Sequence, residues 1–433
     1  MLTSVIIAGA LALGGVLIPE VADSAASWRQ FGGPGRDFSV DSRIEPWPES
    51  GPKLLWDRQL GSGYSAVVGD HDQIFTHYRD SVDEGAVSED EIVIALDATS
   101  GATLWEHRYR APAREEHLVQ FGAGPHATPL LLEDRVVTLG YTGILRALDR
   151  RSGELLWGFD LVEELGGLVT PWGFSASPIF HRGLVIVLVG GTQGVLALAP
   201  EDGSIRWKSE AGSVSYSTPR VLEVAGREEL VFFAKDSVRS IDPENGRTLW
   251  SHTVVNGYEN HASNLLWDGQ SLLWVASQQE AGGRLLRLGG EGQDPEVVWQ
   301  NRKVRLHHWN AVLLDGVVYG SLGDSAHIFS AINLATGKIL WRDRRFGLVK
   351  MLRTPSATLL LSEDGDLSLV RLTAEGAELL ASASVSDELS RTVPTLLGTT
   401  LYVRDSKRIR AFDLSQPEQA DVLSLGPTVD GSR

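Results

Sequence analysis

Ala95-Leu96-Asp97-Ala98-Thr99-Ser100-Gly101-Ala102-Thr103-Leu104-Trp105 is the stretch whose reading decides the fold. An apolar strand ends on Asp, a short turn carries Gly, and a second strand ends on an apolar residue and Trp. Asp ends a strand by bonding nearby backbone, and Gly supplies the positive φ of a tight hairpin. Trp at the far end offers a large apolar surface to whatever packs beside it.

The same pattern returns along the chain. Ala147-Leu148-Asp149 runs through Gly153 to Leu156-Trp157, and Ala197-Leu198-Ala199 through Gly203 to Arg206-Trp207. Ser240-Ile241-Asp242 leads through Gly246 to Leu249-Trp250, and Ala331-Ile332-Asn333 through Gly337 to Leu340-Trp341. Two copies are degraded. Arg287-Leu288 leads to Val298-Trp299, and Arg371-Leu372 to Leu379-Leu380 without Trp. Half-copies stand at the two ends: Leu54-Leu55-Trp56 has no preceding turn, and Ala411-Phe412-Asp413 has no following Trp. Each supplies what the other lacks, as expected of a ring closed by strands from opposite ends of the chain.

Turn-bearing strands number eight, and successive Trp are 49, 52, 50, 43, 49 and 42 residues apart. That spacing holds four short strands, the size of a propeller blade. The expectation is an all-β, eight-bladed β-propeller of four-stranded antiparallel blades, with each Trp wedged between neighbouring blades. It forms one domain over residues 27–427, with a flexible tail at 428–433.

Composition narrows the function. The chain has 433 residues and a net charge of −17, with 39 basic and 56 acidic side chains. Nucleic-acid binders draw affinity from Lys and Arg on phosphates, so no nucleic-acid partner is expected. Cysteine is absent. This removes disulfides, thiolate metal sites and thiol nucleophiles. Leu2 to Ile18 is almost wholly apolar or small and precedes Ser24-Ala25-Ala26. Residues 1–26 therefore read as a signal peptide cut near Ala26, or as an uncleaved signal anchor. Either predicts an exported, periplasmic or extracellular protein.

The repeat resembles the pyrroloquinoline-quinone-type propeller repeat over about residues 28–414. Trp28-Arg29-Gln30-Phe31-Gly32-Gly33-Pro34-Gly35-Arg36-Asp37 is similar to the N-terminal signature of exported proteins of this group. The resemblance has two branches. Quinoprotein alcohol dehydrogenases carry a vicinal disulfide, a Ca²⁺ site of Glu, Asn and Asp, and a catalytic Asp. This chain cannot form the disulfide, and no residue matches the Ca²⁺ set. The other branch resembles the propeller lipoprotein of the outer-membrane β-barrel assembly machine, whose lipidated Cys is missing here.

Propellers bind ligands where their innermost strands begin. Aligned on the Pro that follows several of these starts, His126, Ser175, Tyr216 and Arg391 share one register, each three residues before Pro129, Pro178, Pro219 and Pro394. The downstream apolar pair and Asp-Gly place His261 and His308 in the same register. Ser62 fits the first blade loosely, and Lys350 or Arg353 the seventh. The candidate ligand site is therefore His126, Tyr216, His261, His308, Trp309, Arg353 and Arg391. Three readings fit it: a wet channel lining, a polar ligand site, or a metal site of imidazoles. The width of an eight-bladed funnel argues against three His meeting on one ion. Stacking of a small molecule or glycan on Trp172, Trp309 and Tyr216 is a further reading.

Charge is unevenly spread. Residues 302–353 hold nine Lys or Arg against three Asp. This basic sector suits an anionic ligand or an acidic partner, or is a solvated edge. The loop Asp80 to Glu91 is its acidic counterpart, read as solvated or as a weak Ca²⁺ site. Phosphate-loop, nucleophile-elbow and zinc-helix motifs are missing. The sequence thus points to a non-enzymatic binding or scaffold propeller with an envelope protein or peptide partner and no cofactor. The alternative is a pyrroloquinoline-quinone- or metal-dependent oxidoreductase with its site in the central funnel.

Overall fold

The computed structural model describes residues 27–80, 88–290, 292–323 and 328–415. The expected leader, the tail and most of the acidic loop, residues 81–87, lie outside them. Eight antiparallel sheets follow one another around a ring. Their innermost strands, blades one to eight, are Val68–Asp70, Leu130–Leu131, Ile179–His181, Arg220–Val224, Leu266–Trp267, Val312–Leu314, Val349–Arg353 and Thr395–Leu397. Within each blade the strands run outward in chain order. Blade eight is the exception, because its outermost strand is Lys53–Gln59 from the other end of the chain.

That strand pairs with Arg408–Asp413, with Trp56 opposite Ala411 and Lys53 opposite Asp413. The two half-copies do complete each other. Every outer strand makes a register shift just before its Trp position. The extra residue bends the strand and re-aims the next side chain, here toward the following blade. Trp56, Trp105, Trp157, Trp299 and Trp341 each donate from Nε1 to a carbonyl in the next blade's turn, at 2.7–3.0 Å. For the first four of these the turn glycine lies flat on the indole. A Cβ on Gly153, whose φ is +74°, would come within 2.5 Å of Trp105, and one on Gly337 within 2.5 Å of Trp299. Gly is thus required twice over, for φ and for the close approach. Trp250 meets the degraded turn of blade five and bonds Glu229 in its own blade at 2.7 Å instead.

The N-terminal signature segment has a structural role of its own. Ser27–Trp28 adds a fifth strand to blade one, pairing with Asp70 and Gly69. The Arg29 carbonyl accepts from Leu131 N of blade two at 2.8 Å, and Arg36 Nη2 donates to the Phe180 carbonyl of blade three at 2.5 Å. Two residues on, Phe38 O accepts from Arg353 N of blade seven at 2.7 Å, and Val40 N donates to Arg353 O at 3.0 Å. Blades three and seven are opposite each other in a ring of eight, so the segment crosses the axis. Trp28, Phe38, Val40, Ile44 and Trp47 are buried. All these contacts fall at the hairpins where inner strands end. One face of the channel is therefore plugged by the chain itself.

Candidate functional site

The other face, where inner strands begin, is the open mouth. Polar side chains there stitch blade to blade. Ser177 Oγ accepts from Thr128 N and Thr218 Oγ1 from Ser177 N, both at 2.9 Å. Asn264 exchanges two bonds with Ala311, and Asn310 two with Met351, at 2.8–3.0 Å. Thr128, Ser177, Thr218 and Asn310 lie two positions beyond the aligned starts, which supports that register, whereas Asn264 lies three beyond His261 and shifts blade five by one.

Tyr64, His126, Ser175, Tyr216, His308 and Arg391 each stand four residues ahead of their inner strand. Tyr64, not Ser62, fills the position in blade one. Its ring stacks on His126 with centroids 5.5 Å apart and planes 14° apart. Ser62 instead accepts from Arg79 N at 2.8 Å. The interval of four was the signal that could have found Tyr64.

One half of the mouth concentrates charge. Arg391 Nε donates to Glu363 Oε1 at 2.6 Å, and its guanidinium lies 5.9 Å from the Tyr64 ring centroid. Lys350 is buried, its Nζ donating to the His308 carbonyl and standing 5.0 Å from the Trp309 ring centroid. Burial pulls the Lys350 pKa down to about 7; Arg391 adds to the shift and Glu363 opposes it. His308 Nδ1 lies 3.0 Å from His307 Nδ1, and its Nε2 is buried without a hydrogen-bond partner. Desolvation keeps His308 well below its ordinary range, helped by Lys350, His307, Arg391 and His126. His126 is lowered to about 4, again by burial first. A buried network supports this half. Arg79 donates to Glu91 at 2.6 Å and to the carbonyls of Ala111 and Ala123 at 2.8 and 3.0 Å, fixing the loop that leads to His126.

The opposite half is aromatic and already satisfied. Trp172 packs edge-on to Tyr216 at 5.7 Å, and Ser175 Oγ donates to the Tyr216 carbonyl at 3.3 Å. His261 is fully buried and stacks on Phe233 at 4.8 Å. Its Nδ1 is 2.8 Å from Ser277 Oγ and its Nε2 3.1 Å from Lys235 O. With both nitrogens engaged, it holds blade five rather than facing a ligand. Trp309 is buried beneath Lys350 and is not an open stacking surface. Arg353 is placed elsewhere altogether. It ends the blade-seven inner strand at the plugged face, where Nη2 lies 3.6 Å from Asp37. Blade seven has a five-residue inner strand, so Lys350, near its start, takes the mouth position.

A family model described as outer membrane protein assembly factor BamB matches residues 89–343. The chain belongs to the BamB family. The BamB protein of Yersinia pestis is 23% identical over 301 residues, covering 65% of this chain and 72% of that one. The quinohemoprotein alcohol dehydrogenase ADH-IIG of Pseudomonas putida is 25% identical over 244 residues, half of this chain but 32% of the enzyme. The crystal structure of BamB from Moraxella catarrhalis superposes with a TM-score of 0.56 at 17% identity, covering 84% of this chain and 99% of that one. At that identity the likeness shows the fold alone.

The quinone branch can be tested on the residues. Calcium needs about six to eight oxygen ligands, usually several carboxylates. The charged half of the mouth brings Glu363 from its own blades, and Arg391 already holds it. Among the described residues no group of three or more His, Asp or Glu is arranged to hold a metal. Around that carboxylate stand Lys350 and Arg391, which repel a divalent cation. The mouth does not fit a Ca²⁺-held quinone.

Proposed function

We propose that this protein is an exported, non-enzymatic binding propeller that holds a partner protein of the cell envelope at its open mouth. The observation that carries this reading is the asymmetry of the two faces. The chain's own N-terminal segment occupies one end of the channel, and the other presents side chains on a rigid ring of stitched blades. Loops on such a scaffold are the usual place for recognition. Large apolar side chains also lie exposed on that face: Leu118, Val255, Tyr258 and Leu389. Membership of a family described as outer membrane protein assembly factors supports a partner of that setting.

Site-specific photocrosslinking in living cells tests the proposal. A photoreactive residue at Tyr258, which is 60% exposed, is expected to capture a defined envelope protein. One at the exposed Asp202 on the plugged face is not. Equal capture from both positions, or none from Tyr258, sinks the reading. Calorimetry with pyrroloquinoline quinone and Ca²⁺ is expected to show no binding; stoichiometric binding would restore the oxidoreductase.

A further inference from the structure

Charge at the mouth does not balance. Lys350 and Arg391 flank a single carboxylate, Glu363, and Arg391 takes it at 2.6 Å. Lys350 is left with one carbonyl acceptor for three N–H donors and a ring face. His308 adds a buried Nε2 with no partner. Arg404, buried behind Tyr64, is held by the Ser65 and His77 carbonyls and by Thr76, so its field also reaches the mouth. Buried positive charge without an anion is costly and marks a site that expects one.

The imbalance continues outward. The crossings into blades six and seven, residues 302–311 and 344–348, run over this same face. Gly323 N of blade six donates to Arg305 O at 3.1 Å, and Glu363 N of blade seven to Leu348 O at 3.1 Å. Arg302, Lys303, Arg342 and Arg344 are exposed there, and none has an acidic partner among the described residues. Arg345 beside them is paired with Asp343. All this lies in a chain of net charge −17. A single small anion fills the centre but leaves the rim cations unmatched. An extended acidic chain matches both.

We infer that the open mouth receives an acidic peptide segment, one carboxylate of which enters beside Lys350, His308 and Arg391 while further carboxylates lie along the rim. This rests on the partner-binding reading and names the chemistry of the partner. The charged or titratable groups facing Lys350 are Glu363, Arg391 and His308, with His307, His126, Tyr64 and Arg404 beyond. Burial lowers His126 to about 4 and holds His308 well below the ordinary imidazole range. Lys350 gains its proton as pH falls through about 7, so acidic peptide binds better below that pH.

The test uses the purified chain and a fluorescein-labelled decapeptide of alternating Asp and Glu, read by anisotropy. Sodium phosphate and an Arg-rich decapeptide serve as competitors. Binding is expected to be roughly tenfold tighter at pH 6 than at pH 8. Lys350→Met should lose both that tightening and the pH dependence, whereas His307→Gln keeps the pH dependence. Glu363→Gln, which frees Arg391, should tighten binding at either pH. Together these variants keep the outcome readable if one of them folds poorly. No peptide binding, binding unchanged in Lys350→Met, or a site that takes phosphate while ignoring the peptide would each overturn the inference. If crosslinking at Tyr258 captures a partner while the peptide fails, only the acidic assignment falls.

Discussion

On the plugged face, residues 27–47 bring Trp28, Phe38 and Ile44 into the core, and Arg29 and Asp37 meet partners of opposite charge, while Arg36 is held by Gln30 and the Phe180 carbonyl. Arg29 and Arg150 both hold the buried Asp70, and Arg353 faces Asp37. On the open face, Lys350 is buried yet has no carboxylate of its own, and His308 keeps an unpartnered nitrogen. Both ends of the channel are polar and both are largely shielded from water. Burial alone therefore does not separate the structural end from the recognising end; at Lys350 and His308 the missing partner does. A compensated buried charge serves the fold. An uncompensated one costs stability and is kept where a ligand completes it.

The sharpest way to break this comparison is at the plug. Trp28→Ala removes an indole that is 1% exposed and against which Gly33 packs, a Cβ there falling 2.7 Å from the ring. Urea unfolding should show a loss of about 3–5 kcal/mol, with crosslinking at Tyr258 unchanged. Asp70→Asn should cost about 2–3 kcal/mol, because it strands two guanidinium groups that one buried carboxylate now serves. A plug variant that abolished partner capture without unfolding would merge the two ends into one site.

The ring itself was legible in sequence, because the Asp-turn, Gly and Trp carry the blade seam in a few residues and the two half-copies announce the closure. The plug was not. Trp28 to Asp37 matches no blade repeat, and nothing local says that it crosses an axis. The mouth was half legible. Register fixes which end of a strand a residue occupies, so His126, His308, Tyr216 and Arg391 arrive where expected. Register does not fix neighbours. His261, aligned with His308 in sequence, stands five residues ahead of its inner strand rather than four, and Ser277 and the Lys235 carbonyl absorb it. Blade seven has no Pro to align on and a five-residue inner strand, so Lys350 takes the mouth position and Arg353 ends at the plugged face. Blade one has no Pro at the aligned place, so only the four-residue interval to Val68 marks Tyr64 rather than Ser62.

Lys350→Met sharpens the comparison from the other side, since it should stabilise the protein rather than weaken it. The folded pKa of about 7 is lower than the 10.5 of the unfolded chain. The folded state therefore binds fewer protons than the unfolded one between these values, and stability rises with pH across that window. The burial penalty is present in full below pH 7 and fades toward pH 10. The variant should gain about 1–2 kcal/mol at pH 6, and the gain should vanish in melts near pH 10. A loss at pH 6 would mean that an unseen acid pairs Lys350.

The smallest effect is expected at the rim. Arg302→Ala, Lys303→Ala and Arg344→Ala combined remove three exposed cations that hold no acid among the described residues. Surface changes of this kind stay within about 0.5 kcal/mol, so thermal melts should scarcely move. Their contribution is long-range and salt-screened, with a reach of about 8–10 Å at ordinary ionic strength. The triple variant should therefore flatten the salt dependence of acidic-peptide binding while leaving its pH dependence, set at Lys350, unchanged. Loss of the pH dependence as well would mean that rim and centre titrate together, and that the charge deep in the mouth is not a separate anchor.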